Sequence, residues 1–245
     1  MKKKKKALYI VLSIVAVIGL GLLLINPIKG LIRQSYSDKA INIAEKAIVD
    51  KSPEPVIVKV PITDALSIDG EDGNLDNGID KLLQDMRDLS AEYEYLTLLG
   101  ILEIPCIDVK EPIWDTCSTN ALRYGVGRYP GTAELGTPGL CNLFGHRQNG
   151  NLDAKLGSLQ LLQGHIGEEV IVTTTDGVQH IYTIVDTVHV TDSELMPYLR
   201  KDTYEEETLC ITACGWGRDP YSGTYYPMNT EFIAICQLKS HEALV

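Results

Sequence analysis

From Leu98 to Leu238 the chain is a series of short apolar runs broken by glycine, proline, asparagine and aspartate, and few of them are long enough to make a helix. The expected strands are Leu98–Ile104, Ile107–Ile113, Leu140–Gly145, Glu169–Thr175, Val178–Val190, Thr208–Ala213 and Glu231–Leu238, with Asp176-Gly177 as a hairpin turn. Two short helices interrupt them: Leu152–Leu162 after the N-cap Asn151, and Ser193–Leu199 after Asp192. So many short strands with turns at this spacing predict an all-β fold closed into a barrel of about eight strands. No internal repeat is present.

Upstream the texture is different. Five lysines, Lys2 to Lys6, precede an uncharged apolar run from Ala7 to Ile25. At about 1.5 Å per residue this run spans roughly 28 Å, the depth of a bilayer core and longer than a signal-peptide apolar region. It predicts a transmembrane helix, with a cleaved signal as the alternative, residues 1–6 in the cytoplasm and everything after about residue 30 outside. Residues 26–78 read as a stalk and acidic linker. Ser37–Asp50 has helical spacing, and Ser52–Pro61 alternates prolines with valines as an extended spacer. The Asp- and Gly-rich stretch Asp64–Asp80 is not a calcium loop. Counting from Asp72, glycine falls seventh rather than sixth, and Leu83 stands where a glutamate is needed. Residues 79–96 carry one apolar stripe (Ile79, Leu82, Leu83, Met86, Leu89, Tyr93, Leu96), which predicts a helix bracing a domain of residues 97–245.

Residues 1–33 hold seven basic side chains and no acid, so the rest carries a net charge of −18 against −11 for the whole chain. So acidic an exterior excludes nucleic acid as a partner. Six cysteines in an exported chain raise the question of disulfides, but Cys106, Cys117, Cys141, Cys210, Cys214 and Cys236 show no framework spacing. Several are expected to be buried as small hydrophobes. No sequence pattern calls for a cofactor or a metal.

Two residues end strand-like runs immediately before polar or glycine-rich sequence: His146 closes Gly139–His146, and Cys214 closes Glu207–Cys214. There a thiol and an imidazole can meet at a barrel rim as nucleophile and base. Period-two alternation singles out this cysteine. Leu209, Ile211 and Ala213 share one face of their strand and read as core, while Cys210, Thr212 and Cys214 share the other and read as a groove wall. Gly215-Trp216-Gly217 then lets the backbone turn sharply and a substrate approach. His165, His180, His189 and His241 have no comparable context and read as structural. Arg147 reads as a surface or groove residue.

Residues 97–238 resemble the sortases, membrane-anchored cysteine transpeptidases of Gram-positive surfaces. The resemblance rests on Gly100–Val109 and Glu111–Ile113, on Leu122–Tyr129 (LRYGVGRY), Gly131-Thr132, Pro138-Gly139 and Asn142–Arg147 (NLFGHR), and on Ile211-Thr-Ala-Cys214, which is similar to the family's TLxTC box. It implies that Cys214 attacks the carbonyl of an LPxTG-like sorting signal, that His146 serves the proton transfers, and that an amine resolves the thioester. The implied partners are secreted proteins with a C-terminal sorting signal and, as acceptor, a peptidoglycan precursor or a pilin amine. The chain departs from the family where an arginine opens the last strand: here stand Asn229, Thr230 and Glu231. Arg218, the only arginine after Cys214, is the candidate replacement, with Asn229 as the alternative donor. A different class of reading is a catalytically weak sortase-like binding or pilus-assembly factor. No papain-like cysteine box supports a soluble cysteine protease.

Overall fold

The computed structural model describes residues 30–52, 54–62, 93–147 and 154–244, together with positions 15 and 28. The expected transmembrane helix 7–25, most of the acidic linker and residues 79–92 lie outside the described residues. Among the described residues no helix is long and apolar enough to cross a membrane.

Eleven strands are described: β1 (Val56–Pro61), β2 (Tyr93–Ile104), β3 (Val109–Trp114), β4 (Val126–Arg128), β5 (Leu140–Phe144), β6 (Glu169–Thr174), β7 (Val178–Thr191), β8 (Thr208–Cys214), β9 (Gly217–Arg218), β10 (Tyr225–Tyr226) and β11 (Thr230–Ala243). They join in the order β1-β2-β3-β4-β5-β8-β11-β7-β6, and β6 also pairs with β2. That last pairing closes the eight strands from β2 to β8 with β11 into a ring, the barrel expected, and leaves β1 as an edge strand outside it. Leu102, Leu143, Val172, Leu209, Ile211, Ala213 and Phe232 fill its interior. The Asp176-Gly177 turn joins β6 to β7, with Gly177 at φ 84°.

The expected helices are tighter than expected. The first is a 3₁₀ segment at Leu159–Gly164, and the second breaks into turns at Asp192–Glu194 and Met196–Leu199. Thr191 rather than Asp192 caps the second, through a reciprocal capping box with Glu194.

The segment expected as a stalk lies on the barrel. Residues 30–50 form one helix, α1. Its buried positions Arg33, Ser37, Ala40, Ala44, Ala47 and Ile48 repeat with helical spacing. The small side chains let the helix approach closely over Leu96, Leu98, Ile101, Trp114 and Tyr124, and Ser37 Oγ donates to the Tyr124 carbonyl at 2.7 Å. The proline-flanked spacer is strand β1, antiparallel to the first half of β2. Its prolines sit at the ends of an edge strand, where no ladder hydrogen bond is lost. Tyr93–Leu96, expected as the last turn of a helix, belong to β2 because they pair with β1.

One ion pair joins three of these elements. The Lys155 ammonium lies 3.6 Å from Glu111 on β3, with both side chains largely buried, and donates to Gln34 of α1 at 2.9 Å. Burial pushes the Glu111 carboxyl up to about 7, against the pull of Lys155. A carboxyl raised in the folded state favours folding at pH values below its unfolded pKa, and that gain is lost as pH rises through 7. Lys155→Met strips the cation from a carboxylate that must otherwise ionise. It should cost about 3 kcal/mol at pH 8 and much less at pH 5.5, where Glu111 is already neutral; urea unfolding at the two pH values measures the difference.

Candidate active site

β5 and β8 are parallel neighbours, in register from Leu140 opposite Thr208 to Phe144 opposite Thr212. One further bond, from Gly145 N to Thr212 O at 3.1 Å, continues the ladder. Counted in the same register, His146 stands two residues past Phe144 just as Cys214 stands two past Thr212. The fold thus brings the residues that carry the imidazole and the thiol to the ends of adjacent strands, whose backbones are spaced about 4.8 Å apart, at one end of the barrel. Both are half-buried.

The core face of β8 is as expected, but the expected groove wall is covered except at its last residue. Leu209, Ile211 and Ala213 lie in the barrel core. On the outer face Cys210 and Thr212 are fully buried, because the connection from β7 to β8 roofs them: Cys210 packs with Leu140, Val190, Ile233 and Ile235 under Leu195, Tyr198 and Tyr204. Beneath that roof Thr212 Oγ1 donates to Asn142 Oδ1 at 2.8 Å, and Asn142 Nδ2 donates to the Tyr198 carbonyl at 2.8 Å. Of that face only the last step, Cys214, is uncovered enough to meet a ligand.

Arg147, read from sequence as a surface or groove residue, is bound to the backbone of the nucleophile segment. Its Nε donates to the Cys214 carbonyl and its Nη2 to the Trp216 carbonyl. Burial lowers the guanidinium from its usual range, while the negative charge of Cys214 and of Glu231 opposes that shift. The signal was one of register: a residue just past the end of β5 faces the chain just past the end of β8. Periodicity within one strand does not reveal which strand lies beside it.

Glu231 is the direct partner of Cys214 across the β8–β11 ladder, so a carboxylate occupies the place where the resemblance implies an arginine. Asn229 precedes β11, its carbonyl accepting from Asp192 N at 3.1 Å. Arg218 is exposed on β9, paired with Tyr225 of β10. Its guanidinium lies against Gly223 of the same hairpin, where an added Cβ would stand 3.6 Å from Nη2.

That hairpin is pinned to the barrel at several points. Burial opposes ionisation of Asp219, but hydrogen bonds from Gln163, Ser222 and the Tyr221 amide hold its carboxyl at about 2. Tyr221 Oη donates to the Leu161 carbonyl at 2.8 Å, Gln160 Nε2 donates to the Gly215 carbonyl at 2.9 Å, and the His189 ring stacks on Tyr226 at 3.8 Å. Gly217 takes φ 100°, the sharp turn expected. Gly215 is required by a closer neighbour than a substrate: a Cβ there would stand 2.6 Å from the Glu231 carbonyl carbon.

The remaining cysteines are free, and Cys141, Cys210 and Cys236 are buried as expected. No curated protein matches the sequence significantly. In structure the Clostridium perfringens sortase D5 transpeptidase is similar, with TM-score 0.53 and 16% identity over 84% of this chain and 99% of that one. A lid mutant of sortase A from Corynebacterium diphtheriae gives TM-score 0.49 and 16% identity over 83% of this chain and 93% of that one. Sortase A from Listeria monocytogenes gives 0.47 and 18% over 60% and 91%. The Sortase domain family model matches residues 102–228, more than half of the sequence. With an eight-stranded ring of the expected kind and that match, the chain belongs to the sortase family, and its reaction class is that of the cysteine transpeptidases.

Proposed function

We propose that this chain cleaves an LPxTG-like sorting signal and passes the acyl group to an amine, attaching secreted proteins to the cell wall from a membrane anchor formed by residues 7–25. The observation that carries the reading is that His146 and Cys214 each lie just past the paired part of the neighbouring strands β5 and β8, with the Arg147 guanidinium on the Cys214 carbonyl. Cys214 Sγ, as thiolate, attacks the threonine carbonyl carbon of the signal. The tetrahedral adduct collapses, the C–N bond breaks, and His146 protonates the departing amine. An incoming amine then attacks the thioester, its proton passes to His146, and the thiolate leaves. The product is a new amide, and no net oxidation or hydrolysis occurs. The acceptor fits a peptidoglycan precursor amine or a pilin lysine.

The third role, a cation where negative charge develops, was assigned from sequence to Arg218 or Asn229. Arg147 is better placed for it, because its bonds end on the nucleophile's own backbone.

Intact-mass measurement of the full-length protein incubated with a panel of LPxTG-like peptides tests the reading. A thioester adduct equal to the peptide acyl part, released by an added amine with formation of the amide, is expected. Absence of adduct from every peptide, with the fold intact, moves the weight to the non-catalytic assembly factor.

A further inference from the structure

The far end of the barrel carries a second cluster that the transfer reaction does not use. His180 on β7 and His241 on β11 are direct partners across an antiparallel ladder, so their Cβ atoms lie about 5 Å apart on one face. Their Nδ1 atoms are 2.8 Å apart, with the rings edge to face at 4.8 Å. Glu207, the residue before β8, reaches both: one oxygen lies 3.8 Å from His180 Nδ1 and the other 3.2 Å from His241 Nε2. Its backbone is tied to β11 by Leu238 N at 3.4 Å.

We propose that His180, His241 and Glu207 form a zinc-binding site that clasps the C-terminal part of β11 to β7 and to the start of β8. One donor atom from each residue lies within 4.8 Å of the others. Tetrahedral zinc with bonds of about 2.1 Å holds its ligands roughly 3.4 Å apart, and His180 Nδ1 lies 2.8 Å from His241 Nδ1 and 3.8 Å from Glu207 Oε1, on either side of that value. Two imidazole nitrogens and one carboxylate are a donor set that suits zinc better than calcium or magnesium, which prefer all-oxygen shells. The carboxylate is also held as metal-bound carboxylates are: Tyr182 Oη donates to Glu207 Oε1 at 2.6 Å, which fixes its orientation from behind. His180 is buried and the Glu207 side chain largely covered, while the His241 side chain is 43% exposed, which gives the ion an entry and leaves a fourth position to water.

The location makes the site independent of the proposed reaction. Glu207 precedes β8 and Cys214 ends it, seven residues later, so the two sites are roughly 20 Å apart along the strand. A β-bulge between Leu238 and Ser240 sets the register of the segment that carries His241, and the ion would hold that segment after the bulge.

The test uses the full-length protein, stripped of metal, with Cys214→Ala so that the rim thiol cannot compete. Titration calorimetry with Zn²⁺ alone should show one ion per chain, and Co²⁺ should give the intense visible bands of a four-coordinate site. His241→Ala and Glu207→Gln should each weaken binding at least about 10²-fold, and Tyr182→Phe roughly tenfold. His241 is half-exposed, so its replacement should fold, and circular dichroism checks that it does. Absence of binding to the metal-stripped protein, or binding unchanged in His241→Ala, overturns the site.

Discussion

Cys214→Ala should abolish every thioester adduct, and iodoacetamide at pH 7 should label Cys214 at least about 10²-fold faster than any other cysteine. The argument is one of comparison among six thiols. Burial pushes Cys141 up to about 12 and Cys210 and Cys236 well above the usual thiol range. Cys117 is also raised to about 12 by burial, although Arg128 pulls against it, and its thiol donates to the Gly127 carbonyl at 3.2 Å. Cys106 is raised by burial and by the charge of Glu168. A thiol at 12 holds on the order of 10⁻⁵ of its population as thiolate at pH 7, against roughly 3% for an unperturbed one. Cys214 alone combines partial exposure, a guanidinium bonded to its own carbonyl and an imidazole just past the end of the neighbouring strand. His146→Ala should leave the unfolding midpoint nearly unchanged and lower transpeptidation by about 10²–10⁴-fold, the usual contribution of a positioned acid–base group. Labelling at Cys106 or Cys117 as fast as at Cys214, mapped by peptide mass spectrometry, would remove the basis for the assignment.

How much of this was visible in the sequence depended on the length of the element that carried it. β5, β6, β7 and β8 were legible because each has five or more residues, mostly apolar or β-branched, between turn signals. β4, β9 and β10 have two or three residues, too few to show a period of two. β1 was hidden by Pro55 and Pro61, which read as spacer until β2 is seen to need an edge partner. The stripe through Tyr93 and Leu96 fits a helix as well as a strand over so short a stretch, and only pairing with β1 decides it. In the site, the choice among cysteines came from alternation within β8 and is matched by the core. The role of Arg147 depends on β5 lying parallel to β8, a long-range fact that no local pattern encodes. The histidines of the far cluster were read as structural for the same reason: residues 180 and 241 become neighbours only through the β7–β11 ladder.

Arg147→Ala should lower kcat by about 10²–10³-fold, whereas Arg218→Ala should change it by no more than about threefold, the scatter of an exposed substitution. Two guanidinium donors of Arg147 are spent on the carbonyls of Cys214 and Trp216, which fixes the turn that follows the nucleophile. A guanidinium presents five donors in a rigid fork, so others remain for charge that develops beside Cys214. The carboxylate of Glu231 sits across the ladder from Cys214 and bears on the same guanidinium, so in the proposed site the cation comes from the end of β5 rather than from the last strand. The expected effect is electrostatic as well as structural, and the two are separable. Removal of the cation should shift the pH midpoint of Cys214 alkylation upward, because thiolate loses its nearest fixed positive charge. Arg147→Lys should restore part of that shift and little of kcat, since an ammonium supplies charge but cannot span two carbonyls. Glu231→Gln should move the midpoint the other way. A purely structural arginine predicts a fall in unfolding midpoint with the alkylation profile unmoved, and an equal loss from Arg218→Ala would return the role to the hairpin.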